Sequence, residues 1–168
     1  MTRHREGEVL IATAPEEVFA FIDDHSRFSS HMSESSWMMG GGRMDVELDS
    51  QKGQAVGSHI RLAGTAFRFR LSLDEVITRR EPPTLKVWET VGTPRLLVIG
   101  AYRMGVEIAA TRDGSRLRVF IDYDNPSGPI ARWLGACFGG LYARWCVKQM
   151  LSSAAAEFQR AAVIHSHA

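Results

Sequence analysis

The 168-residue sequence predicts a single α+β domain, a seven-stranded curved antiparallel sheet wrapped around a long C-terminal helix. Three observations carry that expectation. Apolar and charged residues alternate with period two in six successive segments between residues 43 and 124. Turn-forming residues separate those segments at short intervals. Beyond Asn125-Pro126 the alternation stops, and a helical period runs for about thirty residues.

In chain order, "EVLIAT" at 8–13 is a short β-rich run that supplies the seventh strand. "APEEVFAFIDD" at 14–24 reads as a helix. Pro15 suits its first position, Glu16 and Glu17 complement the dipole in its first turn, and Val18, Phe19 and Ile22 form its apolar stripe. Residues 25–42 mix Ser, Gly, Met and aromatics, which predicts a second short helix merging into a mobile loop. The six strands are expected at 43–50, 57–64, 66–79, 84–91, 96–111 and 116–124. Their separators are 53–57, Gly64-Thr65, Pro82-Pro83, 92–94 and the hairpin signal Asp113-Gly114. The core is expected at about 6–160, between flexible tails.

Alternation also assigns faces. Phe67, Phe69, Leu71 and Leu73 share one phase, as do Val98, Tyr102, Met104, Val106 and Ile108, and then Leu117, Val119, Ile121 and Tyr123. The opposite positions, including Arg68, Arg70, Asp74, Arg103, Glu107, Arg118, Asp122 and Asp124, are charged, so one sheet face is solvated and the other is covered. The cover is the C-terminal helix, with Ser127 as N-cap and Pro129 near its first position. Its apolar stripe is Ile130, Trp133, Leu134, Cys137, Leu141, Trp145, Leu151, Ala155, Phe158 and Ala162. "GACFGG" at 135–140 has a small-xxx-small pattern, which suits either close packing on the sheet or the approach of a second monomer, leaving monomer and homodimer both open.

Composition narrows the function. A formal charge of +1 gives no electrostatic footprint for nucleic acid or an anionic membrane, and no apolar run approaches the roughly 20 residues of a membrane span. Cys137 and Cys146 stand about 13 Å apart along one helix, too far for a disulfide. Free thiols, with a polar "MTRHREGE" N-terminus, favour the cytoplasm. The "WMMGGGRMD" stretch at 37–45 runs its glycines into a strand rather than a helix, so it does not read as a phosphate loop. His165 and His167 form an HxH after the last helix with no Cys or carboxylate beside them at zinc spacing, and no metal or organic cofactor is expected.

The order of strand, helix, short helix, six antiparallel strands and long helix resembles the helix-grip fold of the START and birch-pollen-allergen-like (SRPBCC) superfamily, within it the polyketide cyclase/dehydrase and lipid-transport group. The likeness is carried by "IATAPEEVFAFIDD" (11–24), "KGQAVGSHIRL" (52–62), "EPPTLKVWET" (81–90), "DGSRLRVFIDY" (113–123) and the closing helix. It implies a cavity between sheet and helix, with its mouth near the short helices and loops. Members bind lipids, sterols, polyketides or quinones, and some catalyse cyclisation or dehydration, so function rests on the site.

Candidate cavity residues follow. Phe67, Phe69, Leu71 and Met104 would form its wall, with Leu141 and Trp145 from the helix. Arg144 and Lys148 fall about 40° apart inside the helix stripe, where they would bind an anionic ligand group, pair with a strand carboxylate or snorkel out. Tyr102 and Tyr123 offer ring and hydroxyl on inward phases. Glu89 faces in, as general base or as partner of Lys148, in one register of its strand; in the other, Trp88 faces in. Trp37, Met38, Met39, Gly40, Gly41 and Gly42 would form an adaptable lid at the mouth. The expected function is binding of a small hydrophobic molecule. The alternatives are a cyclase/dehydratase-type enzyme using the same cavity and a protein-interaction module.

Overall fold

The computed structural model describes residues 2–28, 44–66 and 69–165. Its elements are β1 (Arg3–Ile11), α1 (Pro15–Asp23), α2 (His25–Phe28), β2 (Met44–Leu48), β3 (His59–Ala66), β4 (Phe69–Glu81), β5 (Leu85–Arg95), β6 (Tyr102–Thr111), β7 (Gly114–Tyr123) and α3 (Pro129–His165). The seven strands form one antiparallel sheet in the order β1-β7-β6-β5-β4-β3-β2, so the first strand pairs with the last. With α3 laid against it, this is the helix-grip arrangement.

Local chemistry explains several boundaries. Pro15 opens α1 with Glu16 and Glu17 in its first turn, and Val18, Phe19 and Ile22 are buried beneath it. Gly128, at φ 93°, immediately precedes Pro129, and its carbonyl accepts the N–H of Arg132 at 2.9 Å. Gly128 therefore takes the cap position, and Ser127 lies one residue too early for the capping role expected of it. The strand expected from residue 96 begins at Tyr102. Val98 belongs instead to the β5–β6 connection, whose backbone runs against α3.

The face of α3 that meets the sheet consists of small and slender residues: Gly135, Gly139, Ala143, Val147, Met150 and Ala154 are buried. Its closest backbone approach is to β1 and β7. A Cβ on Gly139 would stand 2.7 Å from the Val98 carbonyl oxygen, so the four-residue spacing of Gly135 and Gly139 serves contacts within the chain. This face lies roughly 140° around the helix from the stripe of large apolar residues. Trp133, Cys137 and Leu141 are accordingly exposed rather than buried.

The concave face of the sheet carries the core, with Ile60, Leu62, Ile77, Val106, Leu117 and Val119 almost wholly covered. Each such side chain contributes about 1.5–3 kcal/mol by leaving water. The convex face carries ionic ladders, Arg118 with Glu6 and Glu107, and Asp122 with His4 and Arg103. The Arg103 and Arg118 guanidiniums lie over the Phe120 ring at 5.2 and 5.9 Å.

A second ionic group is buried at the end of α1. Asp23 accepts hydrogen bonds from Arg80 at 3.1 and 2.7 Å and from the fully covered Lys86 ammonium at 3.0 Å. Burial opposes the Asp23 charge, but Arg80 and Lys86 outweigh it and hold the carboxyl below its ordinary range.

Candidate functional site

β4 presents Leu71, Leu73, Glu75 and Ile77 to the concave side in strict alternation. Glu75 is thus a carboxyl in a row of aliphatics, and only 3% of it is exposed. Across the sheet, Ile77 pairs with Trp88 and Trp88 with Met104, which turns the Trp88 indole inward. The Tyr102 hydroxyl donates to Glu75 Oε1, and the Trp88 side chain hydrogen-bonds the same carboxyl. Thr90 fixes Tyr102 by accepting its backbone N–H at 3.0 Å and donating to its carbonyl at 3.3 Å.

α3 completes the group. Tyr142 and Cys146, one turn apart, interact through hydroxyl and thiol. Both lie near enough to the strands for Glu75 to act electrostatically on Tyr142, and Cys146 on Tyr102. The Trp145 ring stands 5.8 Å from that of Tyr142. Tyr102, Tyr142 and Cys146 are deeply enclosed yet keep part of their surface uncovered.

Every ionisable group in this cluster is an acid. Burial, opposed by hydrogen bonds from Tyr102 and Trp88 and assisted by the charge of Asp74, pushes the Glu75 carboxyl up to about 7. Burial and the neighbouring Glu75 raise Tyr102, Cys146 and burial raise Tyr142, and burial takes the Cys146 thiol up to about 12. Among the described residues no Lys, Arg or His pairs with Glu75. Nor do three or more His, Cys, Asp or Glu side chains gather anywhere among them as a metal ion would require.

The sequence-derived candidates divide around this geometry. Leu71, Tyr102, Met104 and Tyr123 face the concave side. The Tyr123 hydroxyl is buried close to Gly140 of α3, without a hydrogen-bond partner among the described residues. Trp145 is half-buried beside Tyr142. Phe69, in the inward phase, is 61% exposed, because it is the first residue of β4 and lies beyond the covered part of the sheet. Glu89 pairs in register with Arg103 and lies 3.6 Å from its guanidinium on the convex side, so it does not face the concave side. Leu141, Arg144 and Lys148 are exposed, because α3 turns its small-residue face to the sheet. Phe67 and the lid residues Trp37, Met38, Met39, Gly40, Gly41 and Gly42 lie outside the described residues.

Sequence reasoning does not single out Glu75 or Tyr142. For Glu75 a signal is present, since continuing the Leu71 and Leu73 phase by one step reaches it. Tyr142 carries no comparable signal, because its inward direction depends on how α3 is rotated.

Known structures share this architecture. A point mutant of norcoclaurine synthase from Thalictrum flavum, in complex with a transition-state analogue, is similar with a TM-score of 0.67 at 11% identity, over 95% of this chain and 96% of that one. Ara h 8.0201 is similar with a TM-score of 0.60 at 10% identity, over 95% and 99% of the two chains. The di-domain ARO/CYC StfQ from the steffimycin biosynthetic pathway gives 0.63 at 11% identity, over 96% of this chain and 52% of StfQ. At these identities the likeness is one of fold. No curated protein matches the chain by sequence. The model of one family, described as polyketide cyclase / dehydrase and lipid transport, matches residues 2–162, nearly the whole of the helix-grip unit. With strand order, long helix and family match in agreement, the chain belongs to the polyketide cyclase / dehydrase and lipid transport family.

Proposed function

We propose that the chain binds a small hydrophobic molecule between the sheet and α3, with Glu75, Tyr102 and Trp88 holding its polar group. One observation carries this reading: a hydrogen-bonded acid cluster is enclosed by apolar wall, while Tyr102, Tyr142 and Cys146 in it keep uncovered surface. A few convergent polar groups in an apolar concavity are the usual composition of a small-molecule site. Leu71, Met104 and Ile77 supply wall, and Trp88 with Tyr102 supplies aromatic surface.

Native mass spectrometry of freshly purified protein, followed by extraction, tests the reading. The expected result is an adduct of small-molecule mass, with binding weakened about tenfold by Tyr102→Phe through loss of one hydrogen bond. Failure to bind any of a panel of fatty acids, quinones and aromatic polyketides would reject it.

A second reading, an enzyme of cyclase/dehydratase type, is favoured by one feature. A carboxyl at about 7 both gives and takes a proton at neutral pH. On that reading Glu75→Gln lowers turnover of an aromatic polyketide by about 100-fold or more while leaving binding nearly intact.

A further inference from the structure

The sequence offers Arg144 and Lys148 as candidate cations for the cavity, and the structure places neither there. Arg144 and Lys148 are exposed on α3; of the charge-bearing groups enclosed among the described residues, Asp23 and Lys86 pair with each other, whereas the Glu75 carboxyl stands among aromatic and aliphatic side chains. It accepts hydrogen bonds from Tyr102 and Trp88, and no basic side chain among the described residues neutralises it. Among the described residues, the titratable groups that interact with it are Tyr102 from β6, Tyr142 from α3 and Asp74 beside it on β4, and Cys146 interacts in turn with Tyr142 and Tyr102. All of these are acids. A buried carboxylate without a counter-ion is costly, and a ligand can supply what the fold omits.

The surrounding surface suits the same ligand. Trp88 and Tyr102 touch the carboxyl, Tyr142 lies in its field, and Trp145 stands against Tyr142. Tyr102 and Trp88 meet the carboxyl through their hydroxyl and indole N–H, and aromatic rings in an enclosed site favour organic cations over anions where a cation reaches a ring face. We propose that the site selects an aromatic or aliphatic amine in its ammonium form, paired with the Glu75 carboxylate, over the matching carboxylate or alcohol. This rests on the ligand-binding reading and adds the charge of the ligand.

The test is a matched series, 2-phenylethylamine, 2-phenylethanol and 3-phenylpropanoate, titrated against the whole chain. Calorimetry would give affinity, and the Trp88 indole N–H resonance would report location. At about pH 8 the amine should bind about tenfold more tightly than the alcohol, and the propanoate more weakly than either. In Glu75→Gln the amine should fall to within about twofold of the alcohol. The amine's advantage should also shrink from about pH 8 to about pH 6, as a carboxyl at about 7 takes up its proton.

Equal binding of alcohol and amine in the unaltered protein would overturn the inference and leave the ligand-binding reading standing. So would tighter binding of the propanoate, or an amine preference unchanged by Glu75→Gln. If none of the three perturbs the Trp88 resonance and the wider hydrophobic panel binds, the amine inference alone fails. If that panel fails as well, both readings fall.

Discussion

Glu75 stands between Leu73 and Ile77 in the inward phase of β4, where its ionisation must be supported by hydrogen bonds instead of water. Its displacement from 4.5 to about 7 makes folding pH-dependent. Because the folded value lies above the unfolded one, the stabilisation is complete below about 4.5 and is lost as pH rises through about 7. The difference amounts to roughly 3 kcal/mol. Glu75→Gln removes the ionisable proton, so the variant should melt several degrees above the parent at about pH 8 and lose that advantage near pH 5. Thermal melts at the two pH values check this, and a constant difference between the proteins would contradict it. Tyr123 offers a second contrast between single side chains. Its hydroxyl is buried without a hydrogen-bond partner among the described residues, so Tyr123→Phe should be neutral or mildly stabilising in the same melts.

Among elements, α1 is tied to the sheet by Asp23 lying between Arg80 and Lys86. Removing the shared carboxylate leaves two cations unpaired, so Asp23→Asn should cost about 3–5 kcal/mol. Lys86→Met keeps the Arg80 fork on Asp23 and fills the same space with apolar volume, so denaturant titration should find it much less harmful. Since Asp23 is held below its ordinary 3.8, its contribution is present above that value and is lost as pH falls through the lowered one. α3 has its own test in two adjacent glycines. A Cβ at Gly139 meets the Val98 carbonyl at 2.7 Å, whereas at Gly140 the nearest atoms are side-chain ends at 3.3 and 3.5 Å. Gly139→Ala should destabilise by about 1–3 kcal/mol through backbone displacement. Gly140→Ala should be close to neutral or better, because helix propensity returns about 1 kcal/mol.

For the fold as a whole, the open sheet has β1 and β2 at its edges, with α3 lying closest to β1 and β7. β6 and β7 are paired on both sides and pack their concave residues into the core. β2 is a five-residue edge strand carrying Asp45 and Glu47. Amide exchange should therefore be slowest in β6 and β7 and fast along β2. Protection of β2 equal to that of β7 would count against this distribution of stability. No helix among the described residues is long and apolar enough to cross a membrane.

Element order, the antiparallel meander and the inward phase of most strands are legible in the residues alone. These depend on local periodicity and turn chemistry, which one segment expresses without its neighbours. Glu75 is there too, one step along a phase assigned to the core. The direction of Glu89 depends on pairing, and opposite Arg103 and beside the inward Trp88 it turns to the convex side. The rotation of α3 is not legible, because a stripe drawn through its largest apolar residues points the wrong way. Glycine and alanine allow the closest approach of helix to sheet, and that gain in packing exists only when both surfaces are present. Packing of helix on sheet therefore leaves Arg144 and Lys148 outside and an acid cluster inside, and with them sets the sign of the charge at the proposed site.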